Sequence, residues 1–158
     1  MRIIGFDPGL ADTGYGVIET DGNRVVCLDY GSIKTPAKTD LPSRLLTISK
    51  EITKLIKKYN PERIGIEQLF FSKNVKTAMA VGQARGVILL AIAHTSIPIF
   101  EFTPNQVKQA VSAYGSASKD QIQRMVKMIL NLKEIPKPDD AADALAIAIC
   151  ASGNVQHK

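Results

Sequence analysis

The chain has 158 residues, 45% of them hydrophobic, which suffices for one domain over residues 1–158 with a substantial core. Its two cysteines, Cys27 and Cys150, lie far apart and form no Cys-x-x-Cys pair, which excludes a zinc-ribbon or disulfide framework. No run of about 18 uninterrupted apolar residues exists, so no membrane span is expected, and the net charge of +5 suits a polyanionic partner.

The first stretch, Ile3-Ile4-Gly5-Phe6-Asp7, reads as a short apolar strand covered on both faces, hence a central one. It stops at a carboxylate, and Pro8-Gly9 turns the chain at once. Asp7 therefore stands at the end of a buried strand, where open α/β sheets gather ligands. A chain that begins on a strand lacks the layout of a signal peptide, so the cytoplasm is the expected location. Residues 13–20 form a second strand, Asp21-Gly22-Asn23 a hairpin turn and residues 24–34 a third strand, which together make an antiparallel meander. Gly14 and Gly16 leave room for a backbone or a ligand to come close.

Pro42 suits a first helical turn. Leu41, Leu45, Ile48, Ile52, Leu55, Ile56 and Tyr59 recur at helical spacing to about residue 58, and Asn60-Pro61 stops the helix. Residues 62–68 are a fourth strand, reached through a helical crossover and therefore parallel to its neighbour. With the meander on one side of the first strand, the fourth lies on the other. That makes the gap between them a topological switch point and brings Asp7 and Glu67 to one cleft.

Leu69-Phe70-Phe71-Ser72-Lys73-Asn74 follows directly. One of the phenylalanines would stack on an unpaired base, or the two would form an ordinary packing pair. Residues 75–94 are a long helix rich in small side chains, with Gly82 and Gly86 on one face. Each glycine costs about 1 kcal/mol against alanine. A closely packed backbone offsets such a cost, and it would belong to the sheet, a neighbouring helix or a second copy of this helix. His94, at the helix end, is read as structural.

Residues 97–101 are a fifth strand. Thr103-Pro104-Asn105-Gln106 and Ser118-Lys119-Asp120-Gln121 are capping boxes that open two helices, one carrying Lys108 and the other Lys119. Lys119 on a first turn, beside free backbone N–H groups, suits a phosphate. Residues 103–137 hold six Lys or Arg against Asp120 and Glu134, so most of the positive excess sits here, on either a phosphate-facing or a plainly solvated surface. After Pro136-Lys137-Pro138 a final helix spans residues 139–149, apolar on nearly every side beyond Asp143. Asp140 and Asp143 share a face near its start. One acid suffices to cap a helix; two at the head of a buried one point to a cation.

The fold expected is α/β, a five-stranded mixed sheet in the order 3-2-1-4-5 with strand 2 antiparallel and helices on both faces. Four carboxylates, Asp7, Glu67, Asp140 and Asp143, would meet in one pocket. With no histidine cluster, oxygen ligands favour Mg²⁺, with Mn²⁺ as a substitute. Two such ions about 4 Å apart would clamp a phosphodiester for in-line attack, with Asp7 bridging them and Lys108 and Lys119 holding phosphates.

Six segments carry a resemblance to a known family: Phe6-Asp7-Pro8-Gly9-Leu10-Ala11-Asp12-Thr13-Gly14-Tyr15-Gly16-Val17, Ile66-Glu67-Gln68-Leu69-Phe70-Phe71-Ser72-Lys73-Asn74, Gly82-Gln83-Ala84-Arg85-Gly86-Val87, Val107-Lys108-Gln109, Gly115-Ser116-Ala117-Ser118-Lys119 and Asp140-Ala141-Ala142-Asp143-Ala144-Leu145-Ala146. In this order they resemble the RuvC family of bacterial Holliday-junction resolvases. The resemblance implies an RNase H-like fold and a homodimer that nicks two opposing strands symmetrically at a four-way DNA junction, in recombination and repair, alongside the RuvA–RuvB branch-migration machinery. It implies that Asp7, Glu67, Asp140 and Asp143 are the catalytic, metal-binding acids and that Lys108 and Lys119 are active-site lysines. It also implies that Phe70 wedges the junction and that the helix over residues 75–94 is the dimer interface. Phe71, Lys73, Asn74, Lys76, Arg85 and Ser116 are expected beside these as further DNA contacts. Some family members carry histidine in place of Asp140, and the Leu10-Ala11-Asp12 turn departs from the family's Ser-Arg-type turn. Rival readings are a nuclease of RNA–DNA hybrids or of a ribosomal RNA precursor on the same fold, an actin-like ATPase, which would need two such domains, and a non-catalytic junction binder, which would gain nothing from four acids beside phosphates.

Overall fold

Ile3, Ile4 and Phe6 are fully buried because β1 (Arg2–Asp7) lies at the centre of a five-stranded sheet with helices over both faces. The computed structural model describes residues 1–69, 75–112 and 115–153. The other strands are β2 (Asp12–Thr20), β3 (Val25–Lys34), β4 (Arg63–Glu67) and β5 (Ile99–Phe102). Their order is β3-β2-β1-β4-β5, with β2 antiparallel to β1 and β3, and with β4 parallel to both β1 and β5. Order and sense are those the sequence predicts, and the connections explain why. Gly22 has a φ of +98° and the Asp21 carboxylate accepts from the Asn23 and Arg24 amides, which closes the β2–β3 turn. The helix α1 (Leu41–Tyr59), capped by Asp40 and stopped by left-handed Asn60, carries the chain across to β4.

Alternate residues of each strand feed two apolar layers. On one side Ile4, Phe6, Val17, Ile64 and Ile66 meet Ile48, Ile52 and Ile56 of α1 and Ile88 and Ile92 of α2 (Val75–Ala93). On the other, Ile3 and Ile18 meet Leu145 and Ile147 of α5 (Asp139–Ala151), with α3 (Pro104–Ser112) and α4 (Lys119–Ile129) packed outside. Both predicted capping boxes form: Thr103 with Gln106, and Ser118 with Gln121.

The helix α5 lies against the sheet with almost nothing between them. Every residue from Ala144 to Ala151 is buried. Where α5 crosses, the strands carry glycine. A Cβ on Gly5 would strike the Ala144 carbonyl oxygen, one on Gly14 the Asp140 carbonyl oxygen, and one on Gly16 would stand 2.7 Å from the Leu145 nitrogen. Gly14 and Gly16 thus admit a backbone rather than a ligand.

Several boundaries shift by one or two residues, and one element differs in its setting. The fifth strand starts at Ile99 rather than residue 97, because Pro98 has no N–H to donate and instead offers its carbonyl to the Ile64 amide at 3.1 Å. The final helix continues to Ala151. The larger difference is α2. Lys76, Gln83 and Arg85 interrupt its apolar run, yet the helix is long and apolar enough to suit a bilayer span by length and composition alone. Ala84, Ile88, Ala91 and Ile92 turn into the core, whereas Val75, Met79 and Leu90 are each at least 60% exposed. Within the described residues neither of its glycines is required by a close backbone: a Cβ on Gly82 would meet only the Leu69 side chain, at 3.4 Å, and one on Gly86 would meet nothing.

Candidate active site

Asp7 and Glu67 reach the same end of the sheet because β1 and β4 are adjacent and parallel, with Phe6 level with Ile66. From the opposite layer, α5 descends over Gly14 and Gly16 with its N-terminal turn above those strand ends. Asp143 completes a cavity of about 270 Å³ lined by Asp7, Glu67, Asp143, Lys108 and Lys119, with Pro104, Val107, Ile122 and Ala146 as its apolar wall. Three of the four expected acids and both expected lysines therefore meet in one cleft. Asp140 does not line that cleft. Its backbone is wedged against Gly14, and its side chain lines the neighbouring depression with Gly9, Leu10, Ala11, Asp12, Arg44 and Lys76. The helix head has no side-chain cap, since its N-cap residue is Pro138, so capping does not account for these acids.

The crowding of like charges is visible in the proton affinities. Burial, then Glu67, Asp143 and Asp140, push the Asp7 carboxyl up to about 8, against a weaker pull from Lys119. Glu67 is raised by burial and by Asp143, with Lys108 opposing. Asp143 is also raised by burial, which Lys119 counters by charge and hydrogen bond. Burial works against the charge on Lys119, but Asp143 and Asp139 outweigh it and raise its pKa. The Lys119 ammonium spans the two acids, 3.2 Å from Asp143 Oδ2 and 3.3 Å from Asp139 Oδ2.

Among the described residues no three acidic, histidine or cysteine side chains stand in an arrangement that by itself encloses an ion. All four acids still act on one another: on top of burial, Asp140 raises both Asp7 and Asp143 by its charge. Asp140 is one cavity away, and Asp143 is drawn to a lysine. The donors nevertheless fit a hard divalent cation. All are carboxylate oxygens, and Asp7 is in a setting where added positive charge would relieve both burial and repulsion.

The remaining expected site residues divide. Lys76 is exposed beside Asp140. Ser116 lines a separate groove with Ser112, Ala117, Gln121, Arg124, Met125 and Met128. Arg85, expected at DNA, is turned inward, ion-paired with Glu101 and donating from Nε to the Glu67 carbonyl at 3.1 Å. Phe70, Phe71, Lys73 and Asn74 lie outside the described residues. The residue that sequence reading passed over is Asp139. It anchors Lys119 and accepts from Gln123 at 3.1 Å. Lysine at the first turn of one helix and an unneeded third acid at the head of another were the available signal.

Comparison with known proteins agrees with this geometry. The family model for crossover junction endodeoxyribonuclease RuvC matches residues 3–151. The chain is 59% identical over 150 residues to the crossover junction endodeoxyribonuclease RuvC of Halothermothrix orenii, covering 95% of this chain and 91% of that one. It is 56% identical over 155 residues to the RuvC of Desulfitobacterium hafniense, covering 98% and 94%. In structure it resembles Thermus thermophilus RuvC in complex with a Holliday junction substrate, with a TM-score of 0.90, 34% identity and coverage of 95% and 92%. The mixed sheet, the acids gathered at its switch point and these matches lead to one conclusion: the chain belongs to the RuvC family of crossover junction endodeoxyribonucleases.

Proposed function

We propose that this protein is an endonuclease that resolves four-way DNA junctions by hydrolysing phosphodiester bonds, with divalent cations held by Asp7, Glu67 and Asp143 and with Asp140 assisting from the rim. The observation that carries this reading is the cavity in which three carboxylates face two lysines. Bound Mg²⁺, two ions per site with Mn²⁺ able to replace them, would lower the pKa of an attacking water and stabilise the leaving 3′ oxygen.

The chain's own groups supply placement and charge. Asp7, fixed at the end of the central strand, would be the most rigidly placed of the carboxylates that hold the cations. Lys108, on the cavity wall, faces Glu67 and would contact a phosphate oxygen beside the cut. Lys119 neutralises Asp143 and Asp139 in the metal-free protein and would turn its ammonium to the phosphodiester once cations occupy the acids. Val107, Ile122 and Ala146 form the apolar wall of the cavity beside these groups.

The same reading makes the protein a single domain that acts as a homodimer. The exposed face of α2 and the unfilled space at Gly86 support a second copy packing there. Phe70, aided by Phe71, Lys73, Asn74 and Lys76, would hold unpaired DNA, and Ser116 would touch a flanking phosphate. The protein would work with the RuvA–RuvB complex in the cytoplasm. Incubation with Mg²⁺ and either an immobile four-way junction or an RNA–DNA hybrid duplex tests the assignment. Paired, symmetric cuts in the junction are expected, and cleavage confined to the hybrid would refute it.

A further inference from the structure

The end of β4 lacks a bond that the ladder should supply. In β4 the even residues bond to β5, as the Ile64 amide to Pro98 and the Gln68 amide to Phe102 show. The odd residues therefore face β1, and the Glu67 carbonyl with them. Extended by one residue, the β1–β4 register sets Asp7 against Glu67, so that the Glu67 carbonyl would take the N–H of residue 8. Residue 8 is proline and has no N–H. The carbonyl instead accepts from Arg85 Nε at 3.1 Å. The Arg85 side chain is 18% exposed, and its guanidinium is also ion-paired with Glu101, on the neighbouring strand β5. Glu101 is about half exposed, so that ion pair adds little stability. Its effect is to orient the planar fork of Arg85.

We propose that Arg85 is a positioning residue for Glu67. It replaces the ladder bond that Pro8 cannot make, and it fixes the strand end from which the Glu67 carboxylate enters the cavity. The proposal rests on the nuclease reading for its effect on catalysis, but its geometric content is independent of that reading. It also explains why a cationic side chain points inward from an otherwise apolar stretch of α2: a backbone carbonyl one residue beyond the ladder needs a donor that only a long side chain from another element can bring.

The test compares the full-length wild type with Arg85→Gln, Arg85→Lys and Glu101→Gln by three measurements. These are Mn²⁺ binding followed by electron paramagnetic resonance of the free ion, affinity for a four-way junction across a salt series without divalent metal, and single-turnover junction cleavage in Mg²⁺. Arg85→Gln should weaken Mn²⁺ binding and slow single-turnover cleavage by about 10–100-fold, with junction affinity within about threefold of wild type. Arg85→Lys, which keeps a long cationic donor, should recover part of both losses, which a merely structural role would not single out. Wild-type Mn²⁺ binding by Arg85→Gln would overturn the proposal. So would a loss of junction affinity with a salt slope shallower by about one, the mark of a phosphate contact. Should Arg85→Gln fail to fold, Glu101→Gln decides, because it loosens the guanidinium without changing volume: weakened Mn²⁺ binding supports the proposal and unchanged binding overturns it. A wild type that binds Mn²⁺ but leaves junctions intact would refute the nuclease reading, while the Mn²⁺ comparison still decides the role of Arg85.

Discussion

Asp7 keeps its proton to about pH 8, against an ordinary value of 3.8, because burial and three neighbouring acids oppose its charge. The folded protein therefore binds a proton that the unfolded chain releases, and the metal-free fold loses stability as pH rises between those two values. Asp7→Asn removes that burden. In chelator at pH 8 the variant should melt at a higher temperature than wild type, by a margin on the order of a few kcal/mol that vanishes near pH 4. The same variant should bind junctions and fail to cut them; loss of binding would give Asp7 a structural task instead. Lys119→Met leaves Asp143 without its counter-ion, and cleavage should fall by about 100-fold or more with the fold intact by circular dichroism. The acids on strand ends were legible in the sequence because an apolar run that stops at a carboxylate has few readings. Asp139 and Arg85 were not, because their tasks depend on partners brought near only by the fold. Asp139 is twenty residues from Lys119 along the chain, and the Glu67 carbonyl lacks a partner only once β1 and β4 are in register.

Elements meet here through missing side chains. At Gly5 and Gly16 the obstacle to a Cβ is the backbone of α5, which cannot rotate aside. Gly5→Ala should therefore destabilise the protein by about 3 kcal/mol or more, at the upper end for overpacking. It should also reduce cleavage beyond what stability explains, since lifting α5 carries Asp143 away from Asp7. Denaturant melts and activity assayed well below the melting temperature would separate the two effects. Gly82 and Gly86 behave differently: no backbone among the described residues presses on them. Gly82→Glu should fold normally and sediment as a monomer, and a stable dimer would move the interface elsewhere. Helix spans and capping boxes could be read from the sequence because local chemistry decides them. The start of β5 could not, since it depends on whether the Pro98 carbonyl finds the Ile64 amide. For α2 the spacing of small residues raised the question of a closely packed partner, and no backbone among the described residues answers it.

At the scale of the whole molecule the strand order was legible because each connection has one permitted outcome: a tight turn pairs β2 with β3, and a helical crossover places β4 parallel to β1. What the sequence did not show was that the fourth acid would stand one cavity away, because that offset is set by α5 resting on Gly14. With a net charge of +5, junction affinity should fall steeply with added salt, by about tenfold between about 50 and 200 mM for each pair of phosphates neutralised. A flat salt profile would mean that the basic segment faces solvent alone.

The burial of α5 bears on how the protein comes into being. Synthesis delivers all five strands before any of α5, so a nascent chain carries one layer of its sheet bare until residues 139–151 have emerged. Two of the site's carboxylates arrive on that same segment. A ribosome that stalls early would release a fragment without Asp140 and Asp143, so the nuclease site would form only together with α5.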